Sequence, residues 1–115
     1  MTRRILGAAF EVANGLGHGF LEAVYQKALA HELMLGDLKV AREVVFHIVY
    51  KGREVGTYLA DMVVADRMIV ELKAIDALTA AHVGQCLNYL RASNLSTGLL
   101  INFGRPKIEF RRVTL

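Results

Sequence analysis

The chain has 115 residues, 54% of them hydrophobic, with a formal net charge of +3 and a pI near 9.2. That length fits one domain over residues 1–115 and leaves little chain for a separate substrate-reading domain. A single cysteine, Cys86, excludes an internal disulfide and a cysteine-built metal site, and no apolar run reaches the ~20 residues of a membrane span; the expectation is a cytoplasmic protein without a membrane partner.

Met1 to Arg4 followed by Ile5 to Phe10 looks like the start of a signal peptide, but Glu11 interrupts the apolar stretch and the sequence continues as an amphipathic segment. Thr2 is the expected cap of a first helix running to about Asn14, with Ile5, Leu6, Ala9, Val12 and Ala13 at helical spacing. The glycines of the stretch from Asn14 to Gly19 break it. A second helix is predicted from about Phe20 to Leu35, with Leu21, Val24, Ala28 and Leu35 as its apolar stripe and Gly36-Asp37 as its end. Lys39 to Tyr50 reads as a strand that turns at Lys51-Gly52. Glu54 to Val64 is a second strand, and Met68 to Lys73 a third after a turn at Ala65-Asp66-Arg67. Thr79 is placed to cap a third helix to about Ala92, Thr97 to Asn102 forms a fourth strand, and the alternating tail from Lys107 to Val113 is a candidate edge strand. The order ααβββαβ(β) predicts an α+β fold, a mixed sheet of four to five strands flanked by helices. Strands two and three are apolar on both faces, which places them centrally.

Alternation along a strand puts Glu71 and Lys73 on one face and Leu72 on the other. If the hairpin is symmetric about Asp66, Asp61 stands opposite Glu71, with Cβ atoms about 4.5–5.5 Å apart. Two carboxylates that close on apolar strands repel each other and lose solvation, so they need positive charge. Lys73 supplies some. A divalent cation would supply more, and an oxygen donor set suits Mg²⁺ or Mn²⁺. The plainer alternative is an exposed Glu–Lys pair on an edge strand, and a one-residue slip would turn these side chains to the other face.

Asp61 followed by Ile69-Val70-Glu71-Leu72-Lys73 resembles the split Asp…Glu-x-Lys signature of the PD-(D/E)XK nucleases. Gln85-Cys86-Leu87-Asn88-Tyr89 resembles the Gln-x-x-x-Tyr motif of the RecB-like branch of that superfamily. Gly19-Phe20-Leu21-Glu22-Ala23-Val24-Tyr25 is similar to the signature of the small bacterial GxxExxY family, as is the segment from Gly98 to Gly104. The resemblance implies a restriction-endonuclease-like core and a divalent-metal-dependent nuclease acting on nucleic acid, DNA foremost. It implies Asp61 and Glu71 as metal ligands, the Leu72 carbonyl as a third donor and Glu22 as an extra ligand, direct or through water. Lys73 would orient or activate the attacking water, or stabilise charge on the phosphorane. Gln85 and Tyr89, one helical turn apart, would hold the catalytic groups or contact a phosphate. His82, on the same face, is a further candidate. The chain departs from the pattern in having Ala60 before Asp61 in place of proline, and Leu59 where a basic residue often stands.

Each motif also has a structural reading. Glu22 and Tyr25 would cap and pack the second helix, Gln85 would be a satisfied buried polar group, and Tyr89 a core residue. His18, His31 and His47 lie on separate elements and read as structural, and Cys86 reads as a small buried hydrophobe. Gly15, Gly17 and Gly19 follow a helix and not a strand, which argues against a dinucleotide loop. Arg3 and Arg4, with Arg105, Lys107, Arg111 and Arg112, are either solvated termini or a phosphate-contacting patch. The functional readings are therefore a metal-dependent nuclease or, alternatively, a non-catalytic nucleic-acid- or protein-binding module on the same fold. A metal-dependent enzyme with another substrate is a third, and a homodimer would extend a surface this small.

Overall fold

Apolar side chains recur along three helices and five strands, and the computed structural model, which describes residues 1–115, packs them in three layers. The elements are α1 (Thr2–Leu16), α2 (Glu22–Leu35), β1 (Val40–Tyr50), β2 (Arg53–Val64), β3 (Met68–Lys73), α3 (Ala80–Ser93), β4 (Thr97–Asn102) and β5 (Glu109–Thr114). The sheet order is β1-β2-β3-β4-β5. β1, β2 and β3 form an antiparallel meander, α3 carries the chain over to β4 parallel to β3, and β5 returns antiparallel at the far edge. This is the expected mixed sheet, with the tail supplying the fifth strand. No helix is long and apolar enough to cross a membrane.

Two cores lie on opposite faces of the sheet. Ile5, Ala9 and Val12 of α1 and Tyr25, Leu29 and Leu33 of α2 pack on Met62, Val70, Leu72, Leu99 and Ile101. Cys86 and Leu90 of α3 pack on Tyr58, Ala60, Val63, Ile69 and Leu100. The first helix buries the predicted stripe. The second does not: Leu21 is 80% and Leu35 65% exposed, Val24 is exposed, and the buried line is Tyr25, Leu29 and Leu33. This helix carries apolar residues around most of its circumference, so spacing alone could not identify the face that meets the sheet. It also begins at Glu22, two residues later than expected, because Leu21 is still extended.

Met1, not Thr2, occupies the N-cap of α1; Thr2 Oγ1 instead accepts a hydrogen bond from Arg112 Nε at 3.2 Å. Thr79 does cap α3, in a reciprocal capping box with His82, whose Nδ1 accepts from the Thr79 amide at 2.9 Å. His82 is thereby a helix cap.

The link from β3 to α3 is held from β4. Asn102 is fully buried; its Oδ1 accepts from the amides of Ile75 and Gly104, each at 3.0 Å, and its Nδ2 donates to the Ile75 carbonyl at 3.0 Å. Glu109 accepts from Nδ2 of Asn102 and from the Leu78 amide. A Cβ at Gly104 would collide with the Ile75 backbone, so only glycine lets the two loops meet. Asn102→Ala strands these backbone groups. It is expected to lower stability by about 1–3 kcal/mol, the penalty for unsatisfied buried polar groups, read as a lower urea midpoint.

Candidate active site

β1 and β2 both change face at one point. Val40, Met62 and Val64 pack beneath α1 and α2, yet Val44, Phe46, Tyr58 and Ala60, also even-numbered, pack beneath α3. The reversal falls at Glu43 and Asp61. Regular pairing runs Arg42↔Met62 and then Val44↔Ala60, omitting the pair between them. Glu43 has φ 53°, a left-handed conformation that interrupts the extended backbone. On the other side of β2 the ladder to β3 stops at Met62↔Val70. The expected hairpin register holds for Met62, Val63 and Val64 opposite Val70, Ile69 and Met68, but the expected Asp61–Glu71 pair does not form, because the ladder ends before it. At Asp61 the side chain takes over: its Oδ2 accepts from the Leu72 amide at 2.8 Å.

Glu71 is the only acidic residue in the core, 6% exposed. Tyr58 donates its hydroxyl to Glu71 Oε1 at 2.6 Å. The Tyr58 ring is stacked between Tyr89, with centroids 3.4 Å apart, and Phe46 at 5.8 Å. Tyr89 thus supports the site through Tyr58, and the neighbouring Gln85 side chain acts to lower the Tyr89 hydroxyl. Gln85 itself is exposed, not buried against the sheet. Cys86 is the buried hydrophobe expected, its thiol pushed up to about 11 by burial and the nearby Glu71 charge.

Burial pushes the Glu71 carboxyl up to about 8, and Asp61 beside it adds to the rise; the Tyr58 hydrogen bond and the Lys73 charge oppose it. Tyr58 and Tyr89 are also raised, first by burial and then by Glu71. Lys73 is half-buried and has no ion-pair partner, since the two ion pairs, Lys39–Asp66 and His47–Glu54, lie elsewhere. Glu22 sits at the exposed start of α2. Burial raises its carboxyl, the Lys73 charge lowers it, Asp61 raises it and a hydrogen bond from Ala74 lowers it. It therefore belongs to the electrostatic group of Asp61 and Lys73. No three acidic, histidine or cysteine side chains converge closely enough to form a metal cluster by themselves.

The motif tyrosine of α2 is structural. Tyr25 is buried, stacks on Phe103 at 4.6 Å, donates to the Gly17 carbonyl at 2.7 Å and accepts from the Phe20 amide at 3.3 Å. It fixes the turn that presents Glu22.

The donor chemistry fits a hard divalent cation: carboxylates, no thiolate, and an excess of buried negative charge when Glu71 ionises. Tyr58 was missed from the sequence. With uninterrupted alternation it would face away from Asp61, and nothing in the residue pattern marks the face change.

A family model described as the PD-(D/E)XK nuclease superfamily matches residues 1–113. No curated protein matches the chain. A solved structure, the crystal structure of SSO0001, is similar with a TM-score of 0.50 and 17% identity, covering 92% of this chain. This chain spans 60% of that one, and at such identity the likeness concerns the fold alone.

Because burial pushes the folded carboxyl of Glu71 up to about 8 from its ordinary value of 4.5, the native state holds a proton that the unfolded chain releases. Stability contributed by that proton is present below the unfolded value and is lost as pH rises toward 8. Thermal denaturation in chelator should show a falling midpoint over this window, and Glu71→Gln should flatten the decline.

Proposed function

Since this chain belongs to the PD-(D/E)XK nuclease superfamily, we propose that it is a divalent-metal-dependent nuclease hydrolysing phosphodiester bonds, with DNA as the main substrate and Mg²⁺ or Mn²⁺ as the cofactor. The observation that carries this reading is the buried Glu71 beside Asp61, with an ion-pair-free Lys73 two residues further along β3. Asp61 and Glu71 would hold the metal, with the Leu72 carbonyl and Glu22 as further oxygen donors. When bound, the cation supplies Lewis-acid polarisation of the scissile phosphate. Lys73 then serves as a hydrogen-bond donor, either orienting the attacking water or stabilising charge on the phosphorane. Tyr58 keeps Glu71 in one rotamer, and Tyr89 keeps Tyr58 in place, with Gln85 one helical turn before Tyr89 as a further polar group beside it.

A second reading, a non-catalytic binding module on the same fold, is favoured by one observation. Tyr58 and the Leu72 amide already satisfy Glu71 and Asp61 through protein hydrogen bonds.

Incubation of purified protein with Mg²⁺ or Mn²⁺ and nucleic acids of several shapes separates the two. Cleavage is expected, and Asp61→Ala and Lys73→Ala should each reduce its rate by about a hundredfold or more, the loss of roughly 3 kcal/mol of transition-state stabilisation. Tyr58→Phe should have a smaller effect, about tenfold. Cleavage that survives Asp61→Ala sinks the proposal. Absence of divalent-ion binding by calorimetry in the folded protein favours the binding module.

A further inference from the structure

Next to the site, the β1–β2 hairpin runs past the end of β3, whose pairing with β2 stops at Met62. A groove of about 840 Å³ lies between this arm and α3, lined among others by His47, Gln85, Asn88, Tyr89, Arg91 and Asn94. It joins the site through Tyr89, which stacks on the tyrosine bonded to Glu71.

The chemistry of the walls is selective. Three carboxamides and an aromatic ring line the groove together with apolar Ile48, Val49 and Ala92, and no carboxylate does. Arg91 is its one permanent cation, and Nη1 of that side chain donates to Asn88 Oδ1 at 2.9 Å. Binding the backbone of a duplex relies on several cations against phosphates. Few cations stand near it: Lys51 and Arg53 are at the tip of the arm, outside the lining, while Arg111 and Arg112 lie on β5, at the opposite edge of the sheet from β1, and Arg112 joins the N-terminal helix at Thr2. Carboxamides paired with apolar and aromatic surface suit nucleobases, which offer donor and acceptor edges and π-faces once they are unpaired. The volume is that of a small-ligand site, with room for a few nucleotides.

We propose that the groove between the β1–β2 arm and α3 binds the unpaired bases of a single strand leading into the site, so that the substrate is single-stranded nucleic acid or a single-stranded end. This deepens the nuclease reading and rests on it for the claim of cleavage, but the binding claim stands separately.

The test is fluorescence anisotropy in chelator, where no metal-dependent cleavage occurs, with a short labelled single strand and the corresponding duplex. The intact protein should bind the single strand at least about tenfold more tightly. The double variant Asn88→Ala, Arg91→Ala changes two exposed side chains of α3. It should weaken single-strand binding by about tenfold, leave duplex binding unchanged and retain the circular dichroism and melting midpoint of the parent. Equal affinity for the two forms, or single-strand affinity unchanged in the double variant, overturns the proposal. Cleavage is scored separately on both substrates with Mn²⁺. Selective binding of single strands without cleavage leaves the groove assignment intact and removes the nuclease reading. Cleavage of both substrates at equal rates overturns the claim that the substrate is single-stranded and leaves the nuclease reading.

Discussion

A carboxyl group inside a sheet face is the constraint around which the site is organised. Glu71 is buried between central strands and α3, where an isolated ionised carboxylate costs several kcal/mol to desolvate. Neighbours meet that cost in part. Tyr58 donates a hydrogen bond and Lys73 supplies a favourable charge, while Asp61 works in the opposite direction. The balance leaves Glu71 protonated near neutral pH. A cation that binds there must displace that proton, so metal affinity and pH are coupled at this residue. The raised carboxyl reflects burial that protein charges compensate only in part.

The supports of the site come from both helical layers. Tyr25, on the α1/α2 side, anchors the Gly17–Phe20 turn and so sets where Glu22 begins its helix. Tyr89, on the α3 side, stacks on Tyr58. Asn102 lies directly beside Lys73 in the parallel β3–β4 register and bonds the backbone that follows it. None of these three needs to touch a substrate to matter. Each fixes the rotamer or backbone of a group in or beside the candidate site, which is how packing can preorganise such a site.

The sequence was most informative where a single physical rule governed an element. Period-two alternation and turn residues located the strands, and symmetry about Asp66 predicted the pairing of Met62 to Val64 with β3. It was least informative where rules competed. In α2 apolar residues surround the helix, so tertiary packing and not spacing selected Tyr25, Leu29 and Leu33. In β2 the alternation itself was the misleading signal. A non-glycine residue at positive φ, Glu43, carries no mark in the sequence, and its effect crosses to the neighbouring strand. Tyr58 was hidden for that reason. Asp61 survived as a candidate because the motif resemblance does not depend on which way its side chain points.

That face change also explains why the site lies where it does. In an unbroken ladder Asp61 would pair through its backbone with β3, and its carboxylate would stand over one face of a flat sheet. Here pairing fails on both sides of Asp61 at once. Its carboxylate bonds the backbone of β3 at Leu72, between the two residues Glu71 and Lys73. Beyond that point β2 leaves β3 and continues as the arm beside α3. The placement of the Asp61 carboxylate and the divergence of the β1–β2 arm therefore share one structural cause, the fork between β2 and β3. A sheet with perfect register would gain a few ladder hydrogen bonds, each worth about 0.5–1.5 kcal/mol, and would lose the bond by which the Asp61 carboxylate holds the β3 backbone between Glu71 and Lys73.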